Sequence, residues 1–324
     1  MKKIFTLLCL LILTVPAAGL VISRPDLTKE NRDQAVTESV WLRPGMVAAH
    51  ARFSALLGVS GSDQVTLGKN EYLYLTETLP AAVGISRLTD EEVEQIAAYL
   101  KSLADTLAAR GCRLIFLCAP NKATAVPENL PAYARPAAGP SALDALQSRL
   151  RALHVDFIDA KALLTPDMYY RTDTHWNDRG ALKVYLALRD MLGAEEWSDY
   201  GDLAFETENR RGDLTELIYP EDGPEEAVEA ARLSRRFTTR GVLRSPMDLK
   251  ILASCKEGTG HIVLIRDSFA NNLFPYIANN AATTRIFRAS RWEEGMGGEE
   301  TDAVILEIAE RNLRRIIEAE APGD

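Results

Sequence analysis

The stretch His261-Ile262-Val263-Leu264-Ile265-Arg266-Asp267-Ser268-Phe269 decides the fold. Its first five residues read as a buried strand, and residues 270–280 behind it begin a helix. A serine on such a strand-to-helix turn carries its hydroxyl to the carboxyl edge of a sheet, beside the free amide groups of a helix start. An acyl-transfer nucleophile belongs in that place. A helix-capping serine fits it too, so the position alone does not choose between them.

Outward from this stretch the chain alternates helix and strand. Upstream, Thr89-Asp90-Glu91-Glu92 forms a capping box, and Val93, Ile96, Ala97, Leu100, Leu103 and Leu107 recur at helical spacing until Gly111. A strand is expected over 112–119, then a proline-rich loop to 140, a helix over 141–153 and a short strand over 155–158. Asn177 or Asp178 caps a further helix that runs through Val184 and Leu188 to Leu192. Strands over 284–287 and 303–308 complete the order, which predicts an α/β fold with a mostly parallel, helix-flanked sheet.

Residues 68–75 read as a turn and an aromatic, aliphatic strand, and 23–67 as a partly helical lead-in to a domain spanning 68–320. The stretch 193–250 breaks the rhythm. An acidic segment from Glu221 to Glu229 is followed there by Arg232, Arg235, Arg236 and Arg240. It reads as an insertion or lid near the site, or as a solvated excursion. No internal repeat is visible.

The 324 residues, 47% of them hydrophobic, suffice for a sizeable core. A net charge of -9 without a basic stripe argues against a nucleic-acid partner. Met1-Lys2-Lys3, the apolar run 4–15 and Pro16-Ala17-Ala18-Gly19 have the parts of an export signal. Apolar residues continue through Leu20-Val21-Ile22, which brings the segment near the roughly 20 residues that span a bilayer, so 1–22 reads as a signal peptide or an uncleaved anchor. Cys112 and Cys118 flank a strand that holds them roughly 20 Å apart. A disulfide needs α carbons within about 7 Å, so these two and Cys255 read as core residues without a disulfide or zinc framework.

A second short string, Asp173-Thr174-His175-Trp176, supplies the chemistry that Ser268 lacks. In extended backbone, residues i and i+2 point to one side, so Asp173 is placed to hydrogen-bond His175 and fix its tautomer. Structural pairing and metal binding are the other readings, although no further His or Cys sits at a ligand spacing, and we expect no metal. With Ser268 the pair makes a nucleophile, a base and a carboxylate that orients the base. Backbone amides around Ser268 are oxyanion candidates, with Asn121 on the carboxyl end of the 112–119 strand as a second source or a simple turn residue. Lys122 reads as a contact to an anionic sugar or as solvated, Trp176 as a sugar-stacking or core residue, and Arg266 as a partner for a carboxylate. His50, His154 and His261 read as ordinary structural residues.

At these residues the chain resembles the branch of the SGNH-hydrolase-like superfamily that contains the alginate O-acetyltransferases AlgJ and AlgX and the DHHW proteins. The matching pieces are 68–75, Pro120-Asn121-Lys122, Pro127-Glu128-Asn129-Leu130-Pro131, Asp173-Thr174-His175-Trp176, Gly212-Asp213-Leu214 and Arg266-Asp267-Ser268-Phe269. The resemblance implies a flavodoxin-like three-layer fold, a triad of Ser268, His175 and Asp173, and no cofactor. It also implies an extracytoplasmic O-acetyltransferase acting on an exopolysaccharide or cell-wall glycan, with a membrane-bound acyltransferase partner that delivers acetyl groups. A secreted carbohydrate esterase and a noncatalytic glycan-binding assembly protein are the alternatives. Three departures stand out: Arg266 replaces the glycine of the usual Gly-Asp-Ser, Thr174 replaces the first histidine of the DHHW string, and the chain to Asp324 leads us to expect no separate carbohydrate-binding module.

Overall fold

The strand-to-helix alternation is realised as one seven-stranded sheet in the computed structural model, which describes residues 43–240, 250–288 and 301–318 together with Thr6, Leu10, Thr14, Ala18, Val21 and Ile22. The strands are β1 (Arg113–Ala119), β2 (Phe157–Ile158), β3 (Thr238–Arg240), β4 (Lys250–Ser254), β5 (His261–Arg266), β6 (Thr283–Arg288) and β7 (Ala303–Ala309), in the order β2-β1-β7-β5-β6-β4-β3. Pairings from β2 through β6 are parallel, and β4 and β3 add an antiparallel edge.

Apolar side chains on both faces of the strands dictate three layers. Ile115, Leu117 and Ala119 of β1 join a cluster with Val184, Tyr185 and Leu188 of the helix Asp178–Leu192. Their neighbours Leu114, Phe116 and Cys118 join a second cluster on the opposite face, with Ile96 and Leu100 of the helix Asp90–Ala108 and Leu143 and Leu146 of Ala142–Ala152. Strands buried on both faces read as near-continuous apolar runs, as these do. The register sets Ala309 opposite Ala119 and Leu306 opposite Ile265, so the carboxyl ends of β1, β7 and β5 reach one edge. Ligands bind at such an edge in open α/β sheets.

Local signals place the helix ends. Thr89 with Glu92, and Ser141 with Asp144, form capping boxes, and the Asn177 side chain accepts the Gly180 N–H at 3.1 Å. Gly193 closes its helix at a φ of 69°, a conformation that glycine adopts without Cβ strain.

Three expectations change. The helix expected from residue 270 is a 3-10 turn, Ser268–Asn271, followed by a separate helix, Phe274–Ala278. Pro275 lies in the first turn of that helix, where its missing N–H and fixed φ favour a new start over continuation. The strand expected over 155–158 shortens to β2, because the Val155 N–H closes the preceding helix on Leu150 O and His154 turns through a φ of 54°. Within 193–250, an antiparallel hairpin pairs Phe205–Arg210 with Glu226–Ala231, and β3 and β4 extend the main sheet. Residues 241–249 lie outside the described residues. All three cysteines described are buried and free.

Contacts divide the chain into two compact units, Met1–Val65 with Thr215–Pro224, and Thr66–Leu214 with Glu225–Asp324. The sheet belongs to the second. In the first, Gly61 lets the helix Arg43–Leu56 approach closely at Ala51, since a Cβ on it would lie 2.9 Å from Ala51 Cα. Arg52 pairs there with Asp222 at 2.6 Å. The export segment read over 1–22 lies mostly outside the described residues, and among the described residues no helix is long and apolar enough to cross a membrane.

Candidate functional site

Asp173 lies in a loop and is only 2% exposed, so both of its oxygens must find donors inside the protein. Oδ1 accepts the His175 backbone N–H at 3.0 Å and faces His175 Nδ1 at 2.7 Å. Oδ2 accepts from Arg210 Nη2 at 3.0 Å and from the Asp213 N–H at 3.2 Å. Burial works against the charge of Asp173, but the hydrogen bond and charge of His175, with the charge of Arg210, outweigh it and hold the carboxyl well below the usual carboxylate range. An ionised Asp173 keeps the Nδ1 proton in place, and the imidazole then presents Nε2 as its basic nitrogen. That nitrogen is buried and has no hydrogen-bond partner.

The loop is pinned from below by Lys122. The ammonium is buried and donates to the carbonyls of Tyr170, Arg171 and Asp173 at 3.1, 2.9 and 2.6 Å. Burial pushes it down to about 7, against the pull of the Asp173, Asp213 and Glu226 charges. From the side, Glu226 accepts the N–H groups of Arg171 and Thr172 at 3.0 and 2.9 Å and the Thr172 hydroxyl at 2.6 Å. Gly212 closes the loop: a Cβ on it would sit 2.2 Å from Thr172 O, so the backbones meet where a side chain has no room. Asp213, half-buried, accepts the Thr174 N–H at 2.7 Å, and its other oxygen is 3.6 Å from His175 Nδ1. Burial and the neighbouring Asp173 charge raise its carboxyl.

Ser268 opens the turn beyond β5. The ring of the next residue, Phe269, meets the His175 ring edge-on with centroids 4.8 Å apart, which brings the imidazole to this turn. The turn spends its amides on its own acids: Asp267 Oδ1 accepts the Ser268 N–H at 2.9 Å, and Glu307 Oε2 accepts those of Asp267 and Ala270 at 2.7 and 3.3 Å. Among the described residues, no side chain takes the Phe269 N–H. Asn312 and Asp267 are hydrogen-bonded, and Asp267 is held below its ordinary value despite burial, by Asn312 and by backbone donors.

The remaining sequence candidates separate. Lys122, read as a sugar contact or a solvated residue, is an interior pin for the Asp173 loop. Trp176, the sugar-stacking candidate, is fully buried with its ring 4.9 Å from that of Phe269, and so belongs to the core. Arg266 is wholly buried and bonds Asn271 Oδ1, inside the turn. Asn121 stands at the carboxyl end of β1, two strands or about 10 Å across the sheet edge from β5. Its Oδ1 is buried without a partner, and its N–H goes to Glu310 Oε2 at 2.9 Å. A cavity of about 350 Å3 opens beside it, lined also by Lys161, Glu310 and Arg311. Arg311 lies 5.8 Å from the Phe269 ring.

Asp173, His175 and Asp213 bring three ligand atoms within 4.8 Å of one another. Asp173 also accepts from the Arg210 guanidinium and from the His175 and Asp213 N–H groups, which takes up much of its acceptor capacity. Sequence reasoning missed Arg210, Glu226 and Glu307. Only Glu307 had a signal of its own, a lone charge in the apolar run 303–309.

Comparison with known proteins gives the family and the fold. A probable alginate O-acetylase AlgJ of Pseudomonas putida is 28% identical over 172 residues, 49% of this chain and 43% of that protein, so the match spans less than half the relative's length. The structure of Bacillus cereus PatB1 superposes with a TM-score of 0.55 at 15% identity, covering 77% of this chain and 96% of that one. A DHHW family protein from Eubacterium siraeum superposes with a TM-score of 0.53 at 15% identity, covering 80% and 99%. At such identities the two structures speak to the fold. The model of the SGNH hydrolase-like domain of acetyltransferase AlgX matches residues 65–281, most of the chain, and the protein belongs to that family.

Proposed function

We propose that the protein is an extracytoplasmic O-acetyltransferase that moves acetyl groups onto a polysaccharide through an acyl-enzyme on Ser268. The observation that carries this reading is the state of His175: Nδ1 is held by a buried, ionised Asp173, Nε2 is buried without a partner, and the ring packs edge-on against Phe269, the residue after Ser268. Catalytic hydrogen bonds are often loose before substrate binds and tighten in the complex.

Ser268 Oγ attacks the acetyl carbonyl of the donor and gives its proton to His175 Nε2. The C–O bond to the donor breaks, the departing oxygen takes that proton, and acetyl remains on Ser268. A sugar hydroxyl then loses its proton to Nε2 and attacks the acyl-enzyme, which transfers the acetyl group and frees Ser268. The Phe269 N–H, on the residue after the nucleophile, is the oxyanion donor in this reading. The cavity of about 350 Å3 beside Asn121 has space for a sugar unit at the same sheet edge, although neither Ser268 nor His175 lines it. The basic and apolar start of the chain supports export, and an acetyl donor on the far side of a membrane calls for a membrane-bound acyltransferase partner.

The test is incubation of the chain from about residue 23 with an acetyl ester donor, following intact mass and products with and without a glycan acceptor, beside Ser268→Ala. We expect an acetyl adduct on wild type alone that passes to the glycan. Acetate release unaffected by acceptor would replace transfer by hydrolysis, and absence of Ser268-dependent chemistry would leave a glycan-binding role.

A further inference from the structure

Strand β7 is buried from Ala303 to Ala309 and is otherwise built of Ala, Val, Ile and Leu. Glu307 interrupts it at 0% exposure, level with Arg266 at the end of β5. Packing does not require an acid there. What the acid does is visible in its bonds: one oxygen, Oε2, accepts the N–H groups of Asp267 and Ala270, the residues on either side of the Ser268-Phe269 pair. A single buried atom thus fixes both ends of the nucleophile turn. Asp267 passes the constraint on, since its Oδ1 holds the Ser268 N–H at 2.9 Å.

We propose that Glu307 is a positioning residue for catalysis, which sets Ser268 Oγ and the Phe269 N–H in register with His175 by clamping the turn from the neighbouring strand. The proposal rests on the reading of Ser268 as nucleophile. Without the clamp, the hydroxyl and the oxyanion donor shift together relative to an imidazole that is held by a different set of residues. A misplacement of about 1 Å between reacting groups can cost on the order of 100-fold in rate.

The experiment reads the nucleophile directly with methanesulfonyl fluoride. Ser268 Oγ forms a bond to sulfur, the S–F bond breaks, fluoride leaves, and the serine proton passes to His175 Nε2. Labelling rates by intact mass are compared for wild type, Ser268→Ala, Glu307→Gln and Glu307→Leu, with kcat and KM measured on an acetyl ester. Glutamine keeps an oxygen for the two amides and leucine does not. We expect Glu307→Leu to label at least about tenfold more slowly than wild type, with kcat falling and KM within about twofold, and Glu307→Gln to stay within about threefold. If Glu307→Leu fails to fold, Glu307→Asp, which withdraws the carboxylate by one methylene, replaces it with the same expectation. A folded variant without the clamp that labels at the wild-type rate overturns the proposal. Wild type that takes no label, or takes it equally in Ser268→Ala, overturns the reading of Ser268 and the clamp with it.

Discussion

The two arms of the site are held in opposite ways. The Asp173-His175 arm is a loop, and its geometry comes from side chains of distant segments: Lys122 after β1, Arg210 and Glu226 on the hairpin, and Asp213 between its strands. The Ser268 arm is the end of a central strand, placed by backbone continuity and trimmed by acids of the same sheet edge, Asp267 and Glu307. The proposed base therefore depends on a polar network with many members, and the proposed nucleophile on a rigid strand with few.

The strongest way to break this contrast is to remove the pin from the loop. Lys122→Met retains most of the stem volume but orphans the buried carbonyls of Tyr170 and Asp173, while the Arg171 carbonyl keeps the Leu73 N–H at 2.8 Å. A buried lysine also carries a desolvation cost, so its removal brings some relief, as buried charges replaced by apolar groups often do. Unsatisfied acceptors cost about 1–3 kcal/mol each, and two of them outweigh that relief. The variant is expected to lose about 3 kcal/mol in denaturant unfolding and nearly all acetyl transfer. A loss below about 1 kcal/mol would show that the loop holds without Lys122.

The difference between the arms also explains what sequence could reveal. The place of Ser268 on a turn after a buried strand was legible because strand, turn and serine are contiguous, and the pleat makes a strand's surroundings predictable from its own residues. Asp173 and His175 were legible because i and i+2 side chains meet locally. Arg210 and Glu226 were not, since they reach the loop through the pairing of Phe205–Arg210 with Glu226–Ala231, inside a stretch whose alternating Glu, Thr, Ala and Val gave only a weak strand signal. For the same reason Lys122 read as a solvated residue or sugar contact: nothing in Pro120-Asn121-Lys122 says that three carbonyls will close over its ammonium. Arg266 and Glu307 are charges in apolar strands, which mark a site without saying what they hold.

Glu307 sharpens the comparison through pH. Burial, and next the Asp267 charge, raise its carboxyl to about 8, against about 4.3 in an unfolded chain. Between those values the folded state holds a proton that the unfolded state has lost. The stability it contributes is therefore complete below about pH 4 and is lost as pH rises through about 8. Glu307→Gln removes this dependence, so the stability of wild type relative to the variant should fall between pH 5 and 8.5, by at most roughly 4 kcal/mol, given at most about 1.4 kcal/mol per pH unit over about three units. Denaturant midpoints at the two pH values check it. Parallel behaviour of the two proteins would mean that Glu307 has the same charge folded and unfolded.

Arg210 offers the smallest and most selective perturbation. Its guanidinium donates to Asp173 Oδ2 at 3.0 Å while its carbon stands 4.5 Å from the Tyr170 ring centroid, yet the side chain is 38% exposed. Water can replace much of what an exposed partner supplies, so Arg210→Ala should cost under about 1 kcal/mol of stability. Asp173 keeps its bonds to His175 and to the Asp213 N–H, and so remains a carboxylate at neutral pH. What it loses is one of the two donors that fix Oδ2, and with that the orientation of the imidazole. The rate of Ser268 acetylation should then fall about tenfold, equivalent to roughly 1.4 kcal/mol of transition-state stabilisation, with little change in melting temperature. A fall in rate that merely tracks unfolding would place Arg210 with the scaffold, whereas a rate loss in a fully folded protein would confirm that the base's arm is positioned one hydrogen bond at a time.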